Sequence, residues 1–216
     1  MSSAGKTFHS VHVEAAKRIA MLARQAGAET LVHISGIGAN PGSASSYIRS
    51  RGEGEAAVLD AFSSAKLVRP AVMFGPGDVF LNPLLAMLRR LPVFPMFGSG
   101  ATRLQPVYVE DVAEAVVRIL RAPAASQLYE LAGPRVYTYQ ELLRTIAASA
   151  GTRPLLVPFP FSLWHVIGHV AEAFPSPPLT RNQVELMGQD NISKPDAPGF
   201  EALQISPQPI EIMFSG

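Results

Sequence analysis

From Val11 to Ala26 the apolar positions Val13, Ala16, Ile19, Ala20 and Ala23 recur at three- and four-residue intervals, with Glu14, Lys17, Arg18 and Arg24 between them. That spacing predicts an amphipathic helix whose apolar side faces a core, and Gly27 follows as its C-cap. Leu31-Val32-His33-Ile34 is a short, nearly all-apolar run of the kind a buried parallel strand shows. Gly36 to Ser46 reads as a loop, and Tyr47 to Phe62 as a second helix with Ala56, Val58, Leu59 and Phe62 inward. Gly52 and Gly54 lie inside that helix, where each costs about 1 kcal/mol relative to Ala, so they call for a reason such as close approach of another backbone.

Downstream, Lys66 to Arg69 leads through Pro70 into Ala71-Val72-Met73-Phe74, a second strand pattern closing on Gly75-Pro76-Gly77-Asp78. Such a turn is where an open α/β sheet presents its carboxyl edge to ligands. Pro83 to Leu91 predicts a short helix, Val93 to Phe97 an extended piece, and Gly98 to Gly100 a turn. Val112 to Leu120 is the clearest helix, with Glu110 and Asp111 at its start as capping acids. After Pro123 the character changes. Leu128 to Leu131 reads as a strand, Thr138 caps a helix from Tyr139 to Ala150 with Glu141 at its third position, and Pro154 to Pro160 is proline-rich. Phe161 to Phe174 reads as an apolar helix, and proline then recurs from Pro175 to Pro209.

With 216 residues, 48% of them hydrophobic and 16% charged, the chain is long enough to bury a core and too apolar to be disordered. Eighteen basic against 17 acidic residues leave a net charge of +1, which drives no sequence-independent grip on nucleic acid or anionic lipid. Cysteine is absent, which removes disulfides, thiolate metal ligands and thiol nucleophiles. No stretch approaches the length of a transmembrane helix, and the expectation is a soluble, cytoplasmic protein able to lie against a membrane.

The chemistry-bearing stretch is HISGIGANPGSASSYIRSRGEGE, His33 to Glu55. Ser35 ends a buried strand, and Tyr47 shares a helix face with Arg51 one turn on. A tyrosine beside a fixed cation is the minimum of a phenol-based acid/base site, although such pairs also arise on ordinary solvated helices. His165 and His169, spaced i, i+4, are read as interior or interface residues rather than metal ligands, and no metal is expected. Arg89-Arg90 reads as a solvated pair able to meet a phosphate or an acidic partner.

Taken together and in order, VHISGIGA, SSYIRSRGEGEAAV, LVRPAVMFGPGDVFLN and LQPVYVEDVAEAV resemble the extended and atypical short-chain dehydrogenase/reductase superfamily of the NAD-dependent epimerase/dehydratase type. Within it they are most similar to the subgroup of the respiratory complex I accessory subunit and its bacterial relatives. The resemblance implies an α/β fold: a partial Rossmann-like, mostly parallel sheet in residues 1–122, and a smaller, mainly helical substrate or lid region in 123–216. It puts Tyr47 in the place of the active-site Tyr of YxxxK, with Arg51 where the Lys stands. Ser35 falls in the strand-end serine run, while the catalytic Ser or Thr position falls at Ile37 or beyond, with Ser43, Ser45 and Ser46 as possible substitutes. Arg69, Pro70 and Gly75 correspond to the segment passing the nicotinamide end of the cofactor, and Gln105 and Tyr108 to the substrate cleft.

The implied ligand is NAD or NADP, at a site incomplete in this chain, because the family's opening GxxGxxG turn does not precede Val11 and a truncated Rossmann unit is expected. The glycine pairs Gly36/Gly38, Gly52/Gly54 and Gly98/Gly100 are rejected as phosphate loops. Arg for Lys and the displaced serine imply weak or no turnover in a protein tied to quinone-linked respiration or ubiquinone biosynthesis. Its partners would be the nucleotide and a protein or respiratory membrane complex, not nucleic acid. An active epimerase or reductase using Tyr47, and a partial domain folding against a partner chain, are the alternatives.

Overall fold

The computed structural model describes residues 7–121, 126–171 and 179–214, so the predicted helix end at Phe174 and the break at Pro123 lie outside the described residues. The chain divides into two interleaved compact units. The first combines residues 1–71, 110–132 and 193–207; the second combines 72–109, 133–192 and 208–216.

In the first unit, a π-wound turn (Ser10–Ala15) runs into α1 (Ala16–Gln25), and Gly27 follows at φ +73°, the left-handed value expected after a helix end. β1 (Val32–Ile34), β2 (Lys66–Pro70) and β7 (Leu128–Leu131) form a parallel sheet in the order β1-β2-β7, in register Val32 to Lys66 and Leu67 to Leu128. α2 (Ser46–Ala61) supplies the crossover from β1 to β2, and α4 (Val109–Arg121) precedes β7. α1 and α2 meet through small residues: Ala20 and Ala61 are buried with Val58 and Phe62, and Ala16 and Ala23 flank them. Ile19, predicted inward, is instead 60% exposed, because the seam is one of alanines, with Ala20 at its centre and Ile19 about 100° round the helix. Ala56 likewise faces solvent and Ala61 takes the inner place.

Among its described residues the second unit holds three two-stranded sheets: β3 (Met73–Phe74) with β6 (Val107–Tyr108), β4 (Val93–Phe97) with β9 (Leu155–Phe159), and antiparallel β5 (Arg103–Leu104) with β8 (Tyr137–Thr138). The expected continuous strand Ala71–Phe74 is broken. The Val72 N–H donates to the Asn191 side-chain oxygen at 2.7 Å instead of a ladder partner, and only Met73–Phe74 pairs with β6. β9 runs through the proline-rich segment Pro154 to Pro160. Pro158 is tolerated because a two-stranded sheet has a free edge where a missing N–H loses nothing. α3 (Leu81–Arg90) and α5 (Tyr139–Ser149) pack Leu84, Leu88, Leu142, Leu143 and Ile146 into one core with Phe74, Met96 and Ile210. α5 carries the anticipated capping box, Thr138 with Glu141. Two further helices, α6 (Phe161–Ala171) and α7 (Arg181–Met187), follow.

Candidate functional site

β1 delivers Ser35 by prolonging its ladder. The Ser35 N–H donates to the Val68 carbonyl at 2.7 Å and the Ile37 N–H to the Pro70 carbonyl at 3.0 Å, so the chain hugs β2 past the strand end before it turns. α2 then places Tyr47 and Arg51 on one face. Arg51 donates through Nη1 to the Ser35 carbonyl oxygen at 2.7 Å, and its guanidinium carbon lies 5.0 Å from the centroid of the Tyr47 ring. The cation thus stacks on the ring face, with an attraction of about 0.5–1 kcal/mol. The Tyr47 hydroxyl makes no hydrogen bond to protein among the described residues.

His12 completes the cluster. A Cβ on Gly54 would stand 2.1 Å from the His12 carbonyl oxygen, and one on Gly52 would stand 2.4 Å from Pro41 N, so both glycines admit another backbone against α2, as their placement in a helix suggested. His12 Nδ1 is 2.8 Å from Ser50 Oγ, and Ser50 Oγ donates to the Tyr47 carbonyl at 2.8 Å. Ser50 has one hydrogen and a carbonyl only accepts, so Nδ1 of His12 carries the proton and donates to Ser50, leaving Nε2 with a lone pair. Burial, then Arg51 and His33, hold the His12 pKa below its ordinary value. His33 is also lowered, chiefly by burial and further by Arg51, with Glu55 opposing. Both imidazoles are therefore neutral near pH 7. Phe8 stacks on His12 at 5.8 Å, and the Tyr47 ring meets both edge-on at 5.3 and 5.4 Å.

His12, His33 and Arg51 line a concavity of about 240 Å³ together with Val11, Ile34 and Ser35. Ser35 is 4% exposed, and its Oγ, like Nε of Arg51, is buried with no hydrogen-bond partner. An unpaired buried polar group costs about 1–3 kcal/mol, so these two donors are the costliest unsatisfied groups beside the concavity. Ser45, the N-cap residue of α2, also keeps a buried hydroxyl without a partner.

Arg69 is taken up by carboxylates. Its Nε and Nη2 fork onto Glu55 at 2.8 and 2.6 Å, and Nη1 lies 3.5 Å from Glu130. Glu130 in turn accepts the Lys194 N–H at 2.9 Å. The hydrogen bonding of Arg69 to Glu55 is the main cause of an Arg69 pKa raised above the ordinary range. Every side-chain nitrogen of Arg69 is thus engaged with a carboxylate, and the residue clamps α2 to β2 and β7. Pro70 ends β2, buried, its carbonyl holding Ile37.

Gly75, Gln105 and Tyr108 belong to the second unit. A Cβ on Gly75 would stand 2.7 Å from Val109 Cγ1 and 3.2 Å from the Tyr108 ring. The Gly75 carbonyl accepts the Asp78 N–H at 3.2 Å, while Asp78 Oδ1 caps α3 through the N–H groups of Phe80 and Leu81. Gln105 donates its amide to the Gly133 carbonyl at 2.8 Å, and the Tyr108 ring packs 5.5 Å from Phe74. The five predicted residues of the first unit therefore split into a converging set, Ser35, Tyr47 and Arg51, and a supporting pair, Arg69 and Pro70. Sequence reasoning missed His12, Ser50 and Glu55; Gly54 was the one signal pointing to a backbone at His12. His165 and His169 are exposed, not interior, and no group of three metal-ligating side chains converges among the described residues.

A parallel sheet with a helical crossover, and a phenol, a cation and a serine gathered at its carboxyl edge, define a Rossmann-like α/β protein of the short-chain dehydrogenase type. A profile of the NAD dependent epimerase/dehydratase family matches residues 1–132, and the chain belongs to that family. It is 30% identical over 217 residues to NADH dehydrogenase [ubiquinone] 1 alpha subcomplex subunit 9, mitochondrial, of Arabidopsis thaliana, covering 95% of this chain and 54% of that protein. The subunit of the same name in Mus musculus is 31% identical over 208 residues, covering 95% and 55%. The Caulobacter vibrioides protein named ceramide reductase is 36% identical over 155 residues, covering 71% and 48%. The chain thus spans about half the length of these relatives. A nucleoside-diphosphate-sugar epimerase from Staphylococcus aureus superposes with a TM-score of 0.73 at 15% identity, covering 100% of this chain and 75% of that one. The NAD complex of dTDP-glucose 4,6-dehydratase from Bacillus anthracis gives 0.61 at 16%, covering 71% and 56%. These likenesses establish the fold.

Proposed function

We propose that this protein is an NAD(P)-binding member of the family of the complex I accessory type, in which the nucleotide is mainly structural and turnover is weak or absent. The observation that carries this reading is the engagement of Arg51. The cation in the lysine position spends Nη1 on the Ser35 carbonyl and lies on the Tyr47 ring, and an arginine cannot give up a proton as a lysine can. Ser35, Tyr47 and Arg51 would hold the nicotinamide ribose, where the unpartnered Ser35 hydroxyl and Arg51 Nε suit sugar oxygens. A bound nicotinamide nucleotide supplies hydride chemistry; the chain's own residues position it and keep the Tyr47 hydroxyl free beside it. Residues 1–122 form the nucleotide-binding part in this reading, and residues 123–216, with Gln105 and Tyr108, the substrate or lid side. The similarity to mitochondrial NADH dehydrogenase subunits supports a membrane-peripheral protein whose partner is a respiratory membrane complex acting on quinone. No helix among the described residues is long and apolar enough to cross a membrane. Titrating NADH and NADPH against the purified chain tests the reading: saturable micromolar binding supports it, and no signal at millimolar ligand removes it.

A second reading, an active reductase, rests on the 36% identity to the protein named ceramide reductase. Tyr47 would then protonate a carbonyl oxygen. Tyr47→Phe should abolish any NAD(P)H-dependent ketone reduction while leaving the melting temperature within about 2 °C, since no protein partner of the hydroxyl is lost.

A further inference from the structure

We infer that the tip formed by the starts of β4 and β9 docks on an anionic phospholipid surface. Val93 and Leu155 are register partners in these parallel strands, and Leu155 N–H donates to the Pro92 carbonyl at 2.9 Å, so the segments Arg89 to Val93 and Arg153 to Leu155 lie side by side. Phe94 and Leu156, next along the strands, turn into the core, which sends Val93 and Leu155 outward. They are 49% and 64% exposed, with Leu91 beside them at 41%. Arg89, Arg90 and Arg153 are exposed around them and make no ion pair among the described residues, and no acidic residue occurs from Val79 to Val109 or from Leu142 to Ala171.

Three exposed arginines adjoining three solvated aliphatic residues on the two paired segments match a surface with negative headgroups over an apolar layer. Nucleic acid would use the arginines and leave the aliphatics in water, and the tip has no aromatic ring for a base to stack on. The overall charge of +1 conceals this patch, because the balancing carboxylates lie elsewhere. The inference rests on the membrane-peripheral part of the proposed function and not on nucleotide binding, so a failed NADH titration and a failed lipid assay are separable.

Flotation of the full chain with phosphatidylcholine vesicles, with and without phosphatidylglycerol, tests it. Binding is expected only to the anionic vesicles and should fall steeply with added salt. Arg89→Gln/Arg90→Gln/Arg153→Gln should weaken it on the order of a hundredfold, and Leu155→Ser about tenfold, both with unchanged circular dichroism. Equal binding to neutral vesicles, no binding at low salt, or an unaffected arginine variant would each overturn the inference. So would arginine-dependent binding to soluble polyglutamate without binding to vesicles, which would assign the tip to an acidic protein.

Discussion

Arg51 on α2 reaches back to the carbonyl oxygen of Ser35 at the end of β1, 2.7 Å away, and fastens the helix that carries Tyr47 to the strand that ends beneath it. One side chain therefore serves both the architecture and the candidate site, and these roles separate on substitution. Arg51→Lys keeps the charge and loses the fork. Stability should fall by about 1 kcal/mol in urea unfolding, because a charge-assisted hydrogen bond on a half-buried side chain is weakened. An ammonium freed toward the ribose should tighten NADH binding several-fold. Unchanged stability would show that the link to Ser35 is incidental.

The clamp between α2 and the sheet is Arg69. Arg69→Met strands Glu55 and Glu130, 5% and 3% exposed, without their cation. Removing one partner from a buried cluster costs about 3–5 kcal/mol, against about 1 for an exposed pair. Urea midpoints at pH 7 check the size.

Gly54→Ala sets helix propensity against packing. Alanine gains about 1 kcal/mol in an exposed helix interior, but its methyl would meet the His12 carbonyl oxygen at 2.1 Å. Backbone must move, and overpacking costs about 1–3 kcal/mol. A net loss of about 1–2 kcal/mol is expected, with weaker binding at the concavity that His12 lines. A stabilised variant would mean that the π-wound turn does not pack on α2.

His12 and His33 set a pH dependence. Both have folded-state pKa values below the ordinary histidine value, with burial as the largest cause. Below about pH 6.5 the unfolded chain then binds more protons than the folded one. Their contribution to stability is therefore present above that pH and is lost as pH falls through the depressed folded values. Thermal melts between pH 8 and pH 5 should show the decline. His12→Asn, whose amide reproduces the Nδ1 donor to Ser50 without titrating, should flatten it.

Local and short-range features were legible because neighbouring residues produce them. The crossover from Leu31 to Arg69 rests on a glycine stop, an apolar strand run and a 3.6-residue period, and the Thr138–Glu141 capping box lies within one helical turn. Family membership was readable from the order of four motifs, and so was the convergence of Ser35, Tyr47 and Arg51. Gly52 and Gly54 even announced a crossing backbone, since a glycine inside a helix has little reason to be there otherwise.

What lay beyond the sequence depends on partners distant along the chain. Nothing near Glu55 indicates that it turns inward to Arg69, 14 positions on. Nothing near Val72 indicates that its N–H is taken by Asn191, 119 positions away, which breaks the expected strand. The apolar face of α1 was predicted through Ile19, but the alanine seam settled the rotation, since close approach of two helices depends on volume at the crossing as well as on hydrophobicity. Pattern along the chain thus determined most of the elements and nominated the phenol, cation and hydroxyl of the candidate site. Folding decided which polar groups lost their water and found a partner, and which, like Ser35 Oγ, were buried without one.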